Sequence, residues 1–243
     1  MALTDNIVSY WKLDESSGDA IDSVTANNND LANVLVTYVA GKINNGALYN
    51  SAGDGLSITD ATQNGLDITG DLSISCWIKM TNLPAADSSY AIVDKRKIAV
   101  EGQYTTFINT NVAGTLQFFQ PQFKDSSANL TRFNTDTVDL AVDTWYHVVY
   151  VFTVATPTID VYLDGSVLGK TADGTAATAI GNNDGPFTLG YAISPGTVEF
   201  DGVIDEVGIW SRALTSSEVT ELYNGGAGNQ YPFGAAAAAN HWL

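Results

Sequence analysis

The residues best suited to ligand chemistry form a run of rings and amides, QFFQPQF, from Gln117 to Phe123. Proteins hold sugars with aromatic faces and with hydrogen bonds from amides and carboxylates, so this run predicts a glycan-binding surface. In a strand alternate side chains point inward, so one of Phe118 and Phe119 must lie in the core. The candidate glycan-binding residues, including tyrosines near strand ends, are Gln117, Phe119, Gln122, Phe123, Tyr104 and Tyr191.

Catalytic residues are harder to find. His147 lies between Tyr146 and Val148 in an apolar stretch and is expected to pack in a sheet, and His241 lies near the C-terminus. The sequence contains no recognisable nucleophile–histidine–carboxylate series and no glycine-rich phosphate loop. We therefore expect a protein without enzymatic activity.

The composition limits the partners. With 10 basic and 27 acidic residues the net charge is −17, which disfavours nucleic acid and anionic membrane surfaces and favours cations such as calcium. No apolar run is long enough to cross a bilayer, and the first residues lack the features of an ordinary secretion signal. The single cysteine, Cys76, excludes an intrachain disulfide and is expected to be a buried thiol.

The elements that position these residues are strands. Residues 72–80 alternate cleanly, residues 144–153 are apolar on both faces, and Asp164-Gly165 predicts a type I′ turn within the hairpin 158–169. Strands recur at short spacing before a single helix near the end. The pattern predicts an all-β, two-sheet antiparallel jelly-roll sandwich.

The stretch Asp201 to Tyr223 organises the rest of the chain. Its first half is a strand apolar on both sides, and its second half is a helix with a capping box at Thr215 and Glu218 and with Gly225 at its end. Strict alternation places Val203, Asp205, Val207 and Ile209 on one side, and Ile204, Glu206, Gly208 and Trp210 on the other.

Eight segments, taken in order, resemble the laminin G-like, concanavalin A-like jelly-roll domains. They are VSYWKLDE at 8–15, DS at 22–23 with Asn28, GKINNGAL at 41–48, LSISCWIK at 72–79, WYHV at 145–148, VYLDG at 161–165, IDEV at 204–207 and SRAL at 211–214. The resemblance runs from about Ile7 to Tyr223. It implies the fold, but such domains include lectins, adhesins, virion proteins and distant glycoside hydrolases.

The resemblance also implies a structural calcium ion between the first long loop and the last strand. The candidate ligands are Asp22, Asn27, Asn28, Asp54 and Asp205. The alternative is that Asp22 caps a turn and that Asp205 accepts backbone N–H groups or pairs with Arg212.

Hydrolases similar to these domains carry an E-x-D-x-E or E-x-D-x-x-E series on one strand. The nearest match is Glu199-Phe200-Asp201, but Val203 and Ile204 stand where the third carboxylate would be. The series is broken, which favours a binding protein over a hydrolase.

We predict a jelly-roll domain over residues 1–226 and a Gly/Ala-rich tail over 227–243, which is a disordered tail, a cloning remnant or a segment that packs on a neighbour. The main hypothesis is a non-catalytic structural or display protein on a phage virion surface, as a capsid decoration or a tail or fibre adhesin. Its expected partners are glycans, virion structural proteins or further copies of itself. The alternatives are a soluble, extracellular bacterial lectin or carbohydrate-binding module, and a degenerate glycoside hydrolase.

Overall fold

The structure is a computed structural model that describes residues 1–50, 52–97, 100–192 and 198–234. Within these ranges most of the regular secondary structure is β-strand. In chain order the strands are β1 Ile7–Trp11, β2 Ala32–Val34, β3 Thr37–Ala40, β4 Asn45–Tyr49, β5 Gly55–Ile58, β6 Leu72–Met80, β7 Ser89–Lys97, β8 Val100–Thr110, β9 Gln117–Lys124, β10 Leu130–Thr135, β11 Trp145–Thr153, β12 Thr158–Leu163, β13 Ser166–Val167, β14 Lys170–Thr175, β15 Phe187–Leu189, β16 Tyr191–Ala192, β17 Val198–Glu199 and β18 Gly202–Trp210. The helix α1 spans Ser216–Tyr223, and a 3-10 turn follows at Asn224–Gly226.

Two antiparallel sheets stack into a sandwich. The first sheet has the order β13-β12-β11-β6-β18-β4-β3, with β1 paired to the second half of β18. The second sheet has the order β14-β10-β9-β8-β7-β15-β5-β2, and β16 and β17 form a separate small hairpin. This architecture confirms the predicted all-β jelly-roll class. The turn at Asp164-Gly165 also agrees, since both residues have positive φ.

The main core lies between the sheets. Phe119 and Phe123 of the second sheet meet Tyr150 and Phe152 of the first, with ring centroids 6.2 and 6.3 Å apart. Cys76 lies fully buried in the same core, where burial raises the pKa of its thiol to about 12. The expectation of a buried, unreactive cysteine is therefore confirmed.

Strand β18 is buried along its whole length, as predicted, but its alternation is interrupted. Asp205 faces Trp77 and Gly208 faces Ser75, so one extra residue is inserted between the two pairs. Glu206 takes a left-handed φ of 52°, which forms a β-bulge. The predicted placement of Asp205 beside Val207 and Ile209 is wrong, because the bulge reverses the facing of the side chains before it.

The helix after β18 begins at the predicted capping box. Thr215 Oγ1 accepts from the Glu218 amide at 3.3 Å, and the Glu218 carboxylate accepts from the Thr215 amide at 2.8 Å. The same carboxylate accepts two hydrogen bonds from Arg212, at 2.7 and 2.9 Å, in a buried ion pair. Arg212 therefore pairs with Glu218 and not with Asp205. The helix ends at Asn224, whose φ is 49°.

The part of the predicted tail that the structure describes packs on the sandwich. Tyr231 and Phe233 contact Tyr10 at ring-centroid distances of 5.7 and 5.4 Å, and Phe233 stacks on Trp210 at 6.1 Å. Residues 235–243, with His241, lie outside the described residues. Residues 227–234 are thus part of the cover over the first sheet.

Candidate functional site

The outer face of the first sheet, here called the covered face, is closed by protein. Its buried apolar residues pack beneath the N-terminal residues, α1 and the segment 227–234. They are Leu3, Tyr10, Val24, Val149, Val151, Trp210, Leu214, Val219 and Leu222. This face stabilises the fold and leaves little room for a ligand.

His147 lies on the covered face between Trp77 and Tyr223, at ring-centroid distances of 5.0 and 6.0 Å. Its Nε2 is 2.9 Å from Ser75 Oγ, while Nδ1 has no hydrogen-bond partner among the described residues. Burial and the nearby Lys42 lower the pKa of His147 to about 3. It is therefore a neutral histidine in a sheet, as the sequence predicted.

The outer face of the second sheet is built differently. Along β9, buried and half-buried residues alternate strictly. Phe118, Gln120, Gln122 and Lys124 point away from the core because Phe119 and Phe123 fill it. The run of rings and amides that the sequence singled out thus divides into a core side and a surface side.

Neighbouring strands extend this surface. Gln122 lies between Thr105 of β8 and Arg132 of β10, and Gln120 lies opposite Phe107 and donates to Asn134 at 2.8 Å. We call this surface the open face; its residues are Phe107, Asn109, Phe118, Gln120, Gln122, Lys124, Arg132 and Asn134. Since it is carried on the three adjacent strands β8, β9 and β10, its side chains are held in fixed relative positions.

Ion pairs fix the charged groups beside it. Arg96 Nε donates to the buried Asp94 at 2.6 Å, and its guanidinium lies 5.4 Å from the centroid of the Phe107 ring. Arg132 pairs with Asp173 of β14 at 2.5 Å. Arg132 lies opposite Gln122, the outward residue two positions before Lys124, and partial burial, then the positive charges of Arg96 and Arg132, lower the pKa of Lys124.

The six predicted glycan-binding residues are divided by the fold. Phe119, Phe123 and Tyr104 lie between the sheets and cannot touch a surface ligand, and Gln117 is buried with its Oε1 accepting from the Leu140 amide at 3.2 Å. The prediction that these four residues bind a glycan is therefore wrong, because β9 turns its other side chains toward the surface. Gln122 does lie on the open face.

Tyr191, the sixth predicted residue, lies half-buried in the small hairpin. Its ring covers Gly55 so closely that a Cβ there would lie 2.3 Å from it. The sequence did not indicate that Phe107, Arg132 and Asn134 belong to the open face, because they lie on strands other than β9. Only the alternation of β9 could have indicated Gln120 and Phe118.

Asp22 organises the first loop. Its carboxylate accepts from the backbone amides of Tyr10, Val24 and Asn29 at 3.0, 2.9 and 3.1 Å. Asn27 donates from Nδ2 to the Val8 carbonyl at 2.6 Å, and Asn28 takes a left-handed φ of 54°. These residues hold the loop together through hydrogen bonds.

The Asp205 carboxylate accepts from the amides of Lys42, Ile43 and Glu206, while Asp54 accepts from Asn50 at 2.9 Å in a different loop. Among the residues that the structure describes, no group of three or more His, Cys, Asp or Glu side chains is arranged to hold a metal ion. This geometry does not fit a calcium ion held between Asp22 and Asp205. Calcium binding by the protein stays a prediction.

Asp205 and Glu206 are adjacent buried carboxyls. Burial, and then the charge of Glu206, raises the pKa of Asp205 to about 9. Burial raises the pKa of Glu206 to about 7, partly opposed by hydrogen bonds from Tyr10 and Gln230, each at 2.5 Å. Because Gln230 belongs to the segment 227–234, Glu206 ties that segment to the covered face.

Glu199 and Asp201 line a separate cavity of 270 Å³ together with Tyr90 and Asn50. Glu199 accepts from the Gly53 amide at 2.6 Å and Asp201 from Asn82 at 2.8 Å. Val203 and Ile204, at the third position of the hydrolase series, are buried in β18. Their burial agrees with the broken series seen in the sequence.

The fold and its faces define a lectin-like sandwich with one covered and one open surface. The chain belongs to the concanavalin A-like lectin/glucanases superfamily, whose laminin G-like family model matches residues 50–220. The predicted resemblance is therefore confirmed. No helix in the described part of the chain is long and apolar enough to cross a membrane.

Individual relatives are distant. Adhesion G-protein coupled receptor V1 of Danio rerio is 25% identical over 158 residues, which are 65% of this chain but 2% of the receptor. The binding domain of Paraclostridial Mosquitocidal Protein 1 has a TM-score of 0.68 at 17% identity, covering 92% of this chain and 53% of that chain. This protein thus spans about half the length of that binding domain.

Domain 4 of AbnA, an extracellular arabinanase from Geobacillus stearothermophilus solved with arabinotriose, gives a TM-score of 0.63 at 19% identity. The match covers 89% of this chain and 97% of that domain. A sialidase from Trypanosoma rangeli gives 0.66 at 17% identity, covering 90% of this chain and 32% of that enzyme. These likenesses show the fold.

Proposed function

We propose that this chain is a non-catalytic carbohydrate-binding module and that its open face holds the glycan. The observation that carries the proposal is the row of outward side chains on β9 and its neighbours. It places the ring of Phe118 along the same strand as the amides of Gln120 and Gln122, beside Asn134 of β10. Rings that stack on sugars and amides that bond to hydroxyls are the groups a glycan site needs.

Two similar structures support a binding role. Domain 4 of AbnA, which matches this chain over nearly its whole length, was solved in complex with arabinotriose. The mosquitocidal protein fragment is itself a binding domain. Because identities are below 20%, the residues that bind are argued from this chain alone.

The carboxylates at the open face support a role without catalysis. Asp94 on β7 and Asp173 on β14 are each paired with an arginine, and four strand spacings separate their strands. At about 4.8 Å per spacing, the two strands lie roughly 19 Å apart. Glycosidases need two carboxyl groups about 5–9.5 Å apart, so these two do not form an acid–nucleophile pair.

The test is isothermal titration calorimetry against arabino-, xylo-, gluco- and galacto-oligosaccharides and their acidic counterparts. For whichever sugar binds, we expect Phe118→Ala and Gln122→Ala each to weaken binding by roughly three- to tenfold. Tyr162→Ala, which removes a half-buried ring from the first sheet, is the matched control and should leave binding unchanged. Equal loss in the control, or no loss in the two variants, would contradict the proposal.

The setting in which the module acts stays a prediction. The hypothesis from the sequence is that the protein is displayed on a phage virion, where it contacts virion structural proteins or further copies of itself. The alternative is a soluble bacterial lectin. Immunogold electron microscopy of particles from a culture that expresses the gene separates them. Label on particles supports the virion, and label only in the particle-free supernatant supports the lectin.

A further inference from the structure

The open face carries a large share of the few cations in this chain. Only 10 of the 243 residues are Lys or Arg, against 27 acidic residues. Arg96, Lys124 and Arg132 nevertheless lie together on β7, β9 and β10, near enough that the two arginines lower the pKa of Lys124. Asp94 and Asp173 each pair with one of the two arginines, and an anion bound among the three cations would add to these ion pairs.

Unpartnered hydrogen-bond donors occur on the same face. Arg96 Nη2, Arg132 Nε and Asn109 Nδ2 are shielded from solvent and have no hydrogen-bond partner among the described residues. Buried polar groups in proteins are nearly always hydrogen-bonded, so such atoms call for a partner. All three are donors, which indicates a ligand rich in acceptor oxygens.

The two arginines are already oriented. Asp94 holds Arg96 from β7, and Asp173 holds Arg132 from β14. An oriented guanidinium binds a carboxylate or sulfate through parallel N–H groups and loses little conformational freedom in doing so. Arg96 also lies over the buried Phe107 ring, which supports its guanidinium from a second side.

Resting on the proposed function, we infer that the glycan bound at the open face is acidic. Its carboxylate or sulfate group lies among Arg96, Lys124 and Arg132, and a sugar ring of the same chain lies against Phe118. The anion supplies acceptors to the arginine donors. The strongly negative remainder of the protein repels acidic polymers elsewhere, which confines them to this face.

The experiment compares trigalacturonate, a heparin-derived tetrasaccharide and neutral α-1,4-galactotriose by calorimetry. We expect at least one acidic probe to bind roughly tenfold more tightly than the neutral one, and to weaken as sodium chloride is raised. Arg132→Gln and Lys124→Gln should each reduce that binding by about tenfold. Lys79→Gln removes an equal charge from the first sheet and should change nothing.

The outcomes separate the two proposals. If galactotriose binds as tightly as both acidic probes and Arg132→Gln leaves its affinity unchanged, the acidic ligand is excluded while the glycan-binding function stands. If none of the probes or the wider panel binds, both proposals are overturned. Thermal melting of each variant verifies that it folds. Arg132→Gln is expected to fold, because the ion pair that it removes is partly exposed and contributes little to stability.

Discussion

The outer faces of the two sheets share a strand architecture but differ in what covers them. On the covered face Tyr10, Val149 and Trp210 lie beneath the helix and the segment 227–234. On the open face Phe118, Gln120 and Gln122 remain half-buried at the surface. Rings and amides that a sheet keeps at its surface contribute little to folding, and this difference is why we propose the open face as the binding surface.

The largest effect should come from the covered face. Trp210 is fully buried, donates from Nε1 to the Leu3 carbonyl at 2.6 Å and stacks on Phe233. We expect Trp210→Ala to reduce the free energy of unfolding by about 3–5 kcal/mol, measured by urea denaturation. A loss below about 1 kcal/mol would show that this cover is not tightly packed.

The buried carboxyl of Glu206 should make stability depend on pH. Its pKa rises from 4.5 to about 7 in the folded state. Between these values native Glu206 keeps its proton while the unfolded chain has released it, so stability falls as pH rises. We expect Glu206→Gln to remove a decline of about 2 kcal/mol across this window, measured by denaturation at several pH values.

The difference between wild type and variant is the quantity to measure, because His147 acts in the opposite direction. With its pKa lowered from 6.5 to about 3, His147 makes the fold less stable as pH falls through that range. Its contribution is common to both proteins and cancels. Parallel pH profiles of wild type and Glu206→Gln would show that Glu206 titrates normally.

A smaller stability effect is expected on the open face. Phe118 is half-buried and outside the main core, so Phe118→Ala should cost less than about 1.5 kcal/mol in urea denaturation while weakening glycan binding. Phe119→Ala, one residue away in the core, should cost about 3–5 kcal/mol. Equal costs at the two positions would mean that the alternation of β9 is misassigned.

Chelation should have the smallest effect. The carboxylate oxygens of Asp22 and Asp205 already accept backbone N–H groups, which occupy the lone pairs that would otherwise coordinate a calcium ion. We expect the melting temperature to be the same with excess chelator and with millimolar calcium. A calcium-dependent rise in melting temperature would restore the ion that the family resemblance implied.

Most of the fold could be predicted from the sequence. Clean alternation in residues 72–80, the capping box at Thr215 and the Asp164-Gly165 turn are local patterns, and each fixes local structure. The bulge at Glu206 could not be predicted in this way. It requires a non-glycine residue at positive φ, which is favourable only because the flanking pairs with β6 are fixed.

The candidate site was harder to predict than the fold. The sequence singled out the strand that carries the proposed site, but a period of two allows either Phe118 or Phe119 to face inward. Contact of Phe119 with Tyr150, distant in sequence, decides between them. The other parts of the site, such as Phe107 and Arg132, depend on strand order, which no local pattern encodes.

An NMR titration of isotope-labelled protein with an oligosaccharide from the panel tests directly whether the open face binds glycans. We expect the perturbed amide signals to lie on β8, β9 and β10, with the largest shifts around Gln120 and Gln122. Perturbations confined to the covered face, or to the cavity beside Glu199 and Asp201, would contradict it.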